Sequence, residues 1–270
     1  MSALSGQSAR DVRARLPITD ARAMSVVAPV VFGAALLGLW QLAVVALDID
    51  AYVVPAPSDI WSELAANHAT ILDGALSTGR NALLGMLAGA LVGVLAAVLS
   101  SAVRVIDQMA VPVVAALSVV PIVALAPVLY TLYGAAVDTA RILVAALSVT
   151  IPVYLNTLRG LRQVSAVHRD LMTAYAAGPL QVARSVTLPT ATPYVFTGLR
   201  IASSLAVISA LIAEYFGGPI GGLGKSITSA ASSSNYPLAY AYVVGAIGLG
   251  LAFYVVTLLV ELWFSRHRST

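Results

Sequence analysis

Cysteine is absent from this chain, which excludes disulfides, thiolate metal sites and cysteine nucleophiles. Charge is scarce. Only 10% of the 270 residues are Asp, Glu, Lys or Arg, against about 25% in soluble domains. Histidine is confined to His68, His168 and His267, which are expected in loops and far apart in sequence, so a three-histidine metal site is not expected. No hydroxyl stands in a pattern with a base and an orienting acid, so the chain offers no catalytic constellation. Nucleic-acid binding has no support beyond an Arg-bearing tail. What remains is apolar: 59% of the residues are hydrophobic and the mean hydropathy is +0.90.

Such a chain is dissolved by lipid. A span needs about 20 apolar residues, and six segments supply them, at roughly 27–47, 76–101, 110–132, 139–158, 192–214 and 238–262. Backbone polar groups in lipid must be satisfied within the segment, so the spans are helices; the short alternating segments of a barrel are missing. The first run is long enough to span and lacks a convincing small-residue cleavage site, so it reads as a retained helix rather than a signal peptide. The chain thus divides into a tail (1–26), a membrane domain (27–264) and a short tail (265–270).

Six spans put both termini on one side. That side receives Arg10, Arg13, Arg15, Arg22, Arg104, Arg159, Arg162, Arg169, Arg184, Arg266 and Arg268; the other clearly receives only Lys225. The bias predicts cytoplasmic termini in a multi-pass protein of the cell's plasma (inner) membrane. Asp48, Asp50, Asp59, Glu63 and Asp73 collect outside. In the first outer loop, Ser58 is expected to cap a short helix with Trp61 and Leu64 on its apolar face. The loop 217–236, rich in Gly and Ser, is expected to be irregular.

Several patterns have competing readings. Gly224-Lys225-Ser226 resembles the end of a phosphate-binding loop, but Pro219 stands where its first Gly belongs and no strand precedes it. Nucleotide is therefore expected on a different chain. Gly85, Gly89 and Gly93 let helix backbones approach closely, within one bundle or against a second copy. Pro121, with Pro112, Pro127 and Pro152, bends helices. Pro121, Tyr130, Tyr154, Asn156, Arg200 and Glu214 are candidates for lining a translocation pathway. Arg200, about 10 Å into its span at helical rise, is expected to snorkel, or else to pair with a buried acid.

The stretch DLMTAYAAGPLQVARSVTLP, 170–189, interrupts this apolar plan on the cytoplasmic side. Asp170 suits a helix start, Leu171, Ala174 and Tyr175 share one side, and Gly178 suits a turn. Pro179 suits the first position of a second helix, which Leu188-Pro189 would end. Small residues Ala174, Ala176 and Ala177 near the tip would let another protein come close; an ordinary loop is the plainer reading.

The same residues resemble the pattern E-A-A-x3-G-x9-I-x-L-P of permease subunits of ATP-binding-cassette importers. Asp170 stands at the Glu, Val186 at the Ile and Leu188-Pro189 at the Leu-Pro, without a gap. Leu171 and Met172 replace the two Ala, and Ala176 replaces the Gly, leaving Gly178 to make the turn. VPAPSDIWSEL, LPTATPYVFTGLRIASS and IAEYFGGPIGGLG are similar to the nitrate/sulfonate/taurine branch. The resemblance implies an all-α membrane protein, a six-helix type I importer bundle with a cytoplasmic coupling helix. It implies no enzyme activity here. ATP and Mg would be held by two partner ATPase subunits. A second, commonly identical, permease copy and an extracytoplasmic substrate-binding protein would complete the assembly. Coupling would fall to Asp170, Ala174, Tyr175, Ala176, Ala177, Gly178, Pro179, Arg184, Leu188 and Pro189. The cargo expected of the branch is a small anion of the sulfonate, taurine or nitrate type, with a pyrimidine or vitamin-like precursor as the alternative. A stand-alone secondary transporter would call for inverted repeats and buried coupling acids, for which the sequence gives little sign.

Overall fold

The computed structural model describes residues 18–219 and 221–266, with side chains from Val27 to Phe264. The basic side chains of Arg10, Arg13, Arg15, Arg22, Arg266 and Arg268 lie outside the described residues, as does His267. The chain divides into two compact units, Met1–Ser58 and Asp59–Thr270. Among the described residues every regular element is helical.

The first unit holds α1 (Ile18–Ala46), which begins inside the stretch assigned to the tail. It also holds the start of α2 (Pro57–Ala66). Ser58 does not cap α2. It lies in the first turn, and its N–H donates to Gln41 Oε1 at 3.0 Å while Gln41 Nε2 donates to Ser58 Oγ at 3.1 Å. An amide from α1 thus satisfies a helix-start donor that a preceding side chain ordinarily takes. In α2, Ile60 is buried and Trp61 is exposed.

In the second unit, α3 (His68–Ala102), α6 (Thr139–Arg162), α9 (Leu188–Phe216) and α11 (Tyr236–Arg266) form the bundle. The glycine ladder of α3 decides its centre. Gly85 faces Ala145, Gly89 faces Val149 and Gly93 faces Val153, so α3 and α6 run parallel in close contact. A methyl at Gly93 would lie 2.8 Å from the Thr150 carbonyl oxygen, inside any real contact. The ladder is consumed by packing within this chain. On the other side of α6, Gly160 meets Ala191 and Tyr194, and Gly198 meets Pro152 and Val153, which sets α9 antiparallel. Ala82, Ala145, Val149, Val153, Ala202, Ala206 and Ala210 fill the core.

Among the described residues, five helices are long and apolar enough to cross a membrane. The expected third span is broken. α4 (Arg104–Val119) and the segment Ile122–Tyr133, a 3-10 turn (Ile122–Leu125) followed by α5 (Ala126–Tyr133), meet at 82°. Proline is the cause. The residue before a proline is pushed out of helical conformation, and Val120 before Pro121 is extended (φ −70°, ψ 126°). Pro127 then stands in the first turn of α5, where its missing N–H costs nothing.

Two further expectations are corrected. The segment 217–236 is not irregular: Leu223–Ser232 form α10. Its apolar Leu223, Ile227 and Ala230 recur at helical spacing, and Leu223 and Ala230 are buried. Nor does Leu188-Pro189 end the second short helix. α8 (Pro179–Val182) continues through a wide π turn (Ala183–Thr187) straight into α9. Proline would clash with the carbonyl four residues back in a regular helix. The wide turn, with Leu188 N–H donating to Ala183, relieves that clash and lets the helix pass.

Candidate functional site

The short helix α7 (Ala166–Ala174) opens the interrupted stretch. Its start is set by Ser165, whose hydroxyl accepts from the His168 N–H at 3.3 Å. Asp170 is therefore five residues into the helix and does not begin it. At the other end Ala176 N–H donates to Thr173 (2.9 Å) and Ala177 N–H to Met172 (3.0 Å). This crossed pair is a Schellman cap, which needs a left-handed residue between. That residue is Ala176, at φ +49°. Gly178, expected to turn the chain, is extended (φ −68°, ψ 161°) and instead begins α8. Its N–H donates to Gln181 Oε1 at 2.8 Å, and Pro179 takes the first helical position as expected. The turn stays where the family pattern has Gly, and this chain holds it with Ala.

The surface of this segment is unusual for a polar loop. Val167, Leu171 and Tyr175 share one face at four-residue spacing, 74%, 49% and 75% exposed, and Leu180 beyond the turn is 69% exposed. Ala174, Ala176, Pro179, Arg184, Leu188 and Pro189 are also exposed, with Ala177 and Gly178 half-buried.

The opposite end of the bundle carries a buried polar knot. Glu214, near the end of α9, is fully buried. Thr78 of α3 donates to its carboxylate at 3.0 Å, and the Gly224 N–H of α10 donates at 2.8 Å. Thr78 in turn accepts from the Leu223 N–H at 2.9 Å. The carboxylate thus sits where the α10 dipole favours negative charge. Arg141 of α6, 1% exposed, lies 3.8 Å from Glu214. It donates to Asp138 (3.1 Å), the Pro219 carbonyl (2.6 Å) and the Tyr130 hydroxyl (3.3 Å), which donates on to the Ala213 carbonyl. Gly218, at φ +102°, lies against the guanidinium; a side chain there would start 2.6 Å from it. A buried charge must be paired and hydrogen-bonded, and here both charges are.

Of the pathway candidates, Tyr130 and Glu214 meet in this knot. Tyr154 donates to Ser100 at 3.1 Å and Asn156 to the Pro152 carbonyl at 2.8 Å, nearer the α7 end. Arg200 has the acid partner that was its second expected route: it is paired with Glu261 of α11. Pro121 marks the 82° bend. Sequence reasoning missed Arg141, Asp138 and Thr78. The available signal was that two antiparallel spans carry an Arg and a Glu near the same end. The phosphate-loop-like run Gly224-Lys225-Ser226 is the first turn of α10, and the Gly224 N–H is already taken by Glu214. Among the described residues no cluster of metal-ligating side chains occurs.

The helical bundle thus carries a folded-in polar knot at one end and an exposed two-helix projection at the other. The chain belongs to the family described as binding-protein-dependent transport system inner membrane component, which matches residues 89–269. Its relatives are transport permease subunits, which are not themselves enzymes. A probable ABC transporter permease protein of Haemophilus influenzae is 28% identical over 84% of this chain and 91% of its own length. The riboflavin transport system permease protein RibX of Chloroflexus aurantiacus is 29% identical over 54% of each chain. The bicarbonate transport system permease protein CmpB of Synechococcus elongatus is 33% identical over 47% of this chain and 46% of its own. The chain thus spans about half the length of RibX and CmpB. A crystal structure of an amino acid ABC transporter with histidines shares the fold, with a TM-score of 0.60 at 16% identity over 73% of this chain and 95% of that one.

Proposed function

We propose that this permease subunit forms the translocation pathway of an ATP-driven importer and takes its power stroke through the α7–α8 segment. Closure of a partner ATPase dimer, which binds ATP and Mg, moves α7 and α8. The unbroken helix from Pro179 to Phe216 transmits that motion into the bundle. The carrying observation is the exposed apolar face of Val167, Leu171, Tyr175 and Leu180, which has no partner on this chain among the described residues. A nonpolar side chain that size gains about 1.5–3 kcal/mol on burial, so a cleft on another protein is its natural complement. ATP binding need only favour one state by a few kcal/mol to shift the population.

The assembly we infer has two copies of this chain, two ATPase subunits and an external binding protein that delivers cargo to the α10 end. The Arg bias supports a cytoplasmic position for α7–α8 and both termini. For cargo, CmpB is a bicarbonate permease by name, which supports a small anion. RibX is a riboflavin permease by name, which keeps a vitamin-like heterocycle as the second reading. The test is Leu171→Glu together with deletion of 174–178 in the assembled transporter. Lost ATPase association and lost uptake are expected; unchanged association and uptake would remove the coupling role.

A further inference from the structure

Lys225 is the single lysine of the chain and follows the first turn residues of α10 that Glu214 and Thr78 hold. Hydroxyls surround it. A groove of roughly 500 Å³ is lined by Tyr215, Lys225, Thr228, Ser229, Ser232 and Ser233. An adjoining hollow of roughly 270 Å³ shares Lys225, Ser229 and Ser233 and adds Ser226 and Tyr242. Neither lining contains an acid. Lys225, Ser229, Ser232 and Ser233 recur at the four- and seven-residue spacing of one helix face.

The charge state of this place follows from its neighbours. Lys225 is half-buried and makes no ion pair among the described residues. Glu214, one helix start away, is already bonded to Thr78 and Gly224 and lies beside Arg141. The backbone N–H groups of Leu223 and Gly224 are taken as well, so the helix start offers the ligand no free donor there. What is offered is an ammonium and hydroxyls. Thr228, Ser232 and Ser233 donate to carbonyls of their own helix. Those carbonyls already serve the helix, so each hydroxyl can turn to a ligand at little cost. Ser226 and Ser229 make no hydrogen bond through their side chains among the described residues.

We propose that Lys225, Ser229 and Ser233 form an oxyanion-binding site at the end of the bundle opposite α7–α8. A compact, singly charged oxyanion of the nitrate, sulfonate or bicarbonate class would take charge-assisted bonds from the ammonium and neutral ones from the hydroxyls. One cation without a second suits a monoanion and gives a polyphosphate no grip. The knot beneath keeps α10 fixed, so the donors are held in place before the ligand arrives. As a step in transport, the site rests on the importer reading: it would receive cargo from the binding protein. The same chemistry would accept the phosphate of a lipid headgroup.

A lone lysine makes the test site-specific. The full chain in phosphatidylcholine nanodiscs is treated with an amine-reactive ester, and the adduct on the Lys225 peptide is measured by mass spectrometry. Methanesulfonate or nitrate is expected to slow labelling several-fold, relative to a bulky aromatic trisulfonate at equal ionic strength. Ser229→Val, which keeps the lysine, is expected to label at the parent rate without anion and to lose the protection. Slow labelling in phosphatidylglycerol without added anion, and no effect of the small anions, would assign the same site to a lipid phosphate. Labelling unaffected by small anions and by phosphatidylglycerol overturns the proposal, as does protection that survives in Ser229→Val. The ATPase-binding face is far from this site. A negative result therefore leaves the importer reading standing, while loss of ATPase association in the α7–α8 variants tests that reading separately.

Discussion

The two ends of the bundle solve opposite problems. In the knot at the α10 end, the charged groups are buried and bonded within the chain: Glu214, Arg141, Thr78 and Tyr130 tie α3, α5, α6, α9 and α10 together. At the α7 end, a segment outside the apolar bundle leaves Val167, Leu171, Tyr175 and Leu180 exposed. The knot is finished by its own residues. The α7 end is left incomplete, and in a membrane protein an exposed apolar face on a polar segment has no lipid to cover it. Rigidity is built where α10 is held, and an uncovered apolar face is left on α7–α8, the face that the proposed coupling would use.

The largest expected effect comes from breaking the knot. Arg141→Ala leaves Glu214 buried without its cation and should cost about 3–5 kcal/mol; a large fall in the thermal unfolding midpoint in nanodiscs would register it. Gly93→Ala strikes the α3–α6 contact that supports both ends. Overpacking there should cost about 1–3 kcal/mol, read by the same measurement, while ATPase association in the folded fraction stays unchanged. Tyr175→Glu should do the reverse. It should weaken ATPase binding at least about tenfold, equivalent to about 1.4 kcal/mol, and leave the unfolding midpoint where it was. A shifted midpoint would mean that this face is packed against its own chain after all.

The smallest effect concerns the turn. A residue with a side chain in the left-handed region costs about 1–2 kcal/mol relative to its right-handed form, and Ala176 is held there at φ +49°. Ala176→Gly should stabilise α7 by no more than about 1 kcal/mol, visible as slower amide exchange at positions 176 and 177.

The long apolar runs made five of the spans legible because lipid imposes a length that sequence displays directly. The 82° break was hidden because hydropathy has no direction; Pro121 was noted as a bend, but a proline does not say how far the chain turns. α10 was hidden by composition. Its Gly and Ser residues suggested a loop, and the spacing of Leu223, Ile227 and Ala230 carried the helix. The projection was legible as a two-helix unit at 170–189, with Pro179 placed correctly. Its details moved because Ser165 was a better cap than Asp170, and because the cap geometry demanded a left-handed residue at 176 whatever occupied it. The knot depended on tertiary pairing across residues 78, 141 and 214, which local pattern does not reveal.

Because the chain has no cysteine, a single introduced thiol reports on one place. Ala174→Cys, in the complete transporter in native membranes, should form a cross-link to the ATPase subunit through a short bifunctional reagent, while Ser234→Cys at the other end should not. An Ala174→Cys thiol that stays unlinked to the ATPase in an assembled, transporting complex would contradict the assignment of α7–α8 as the point where force enters.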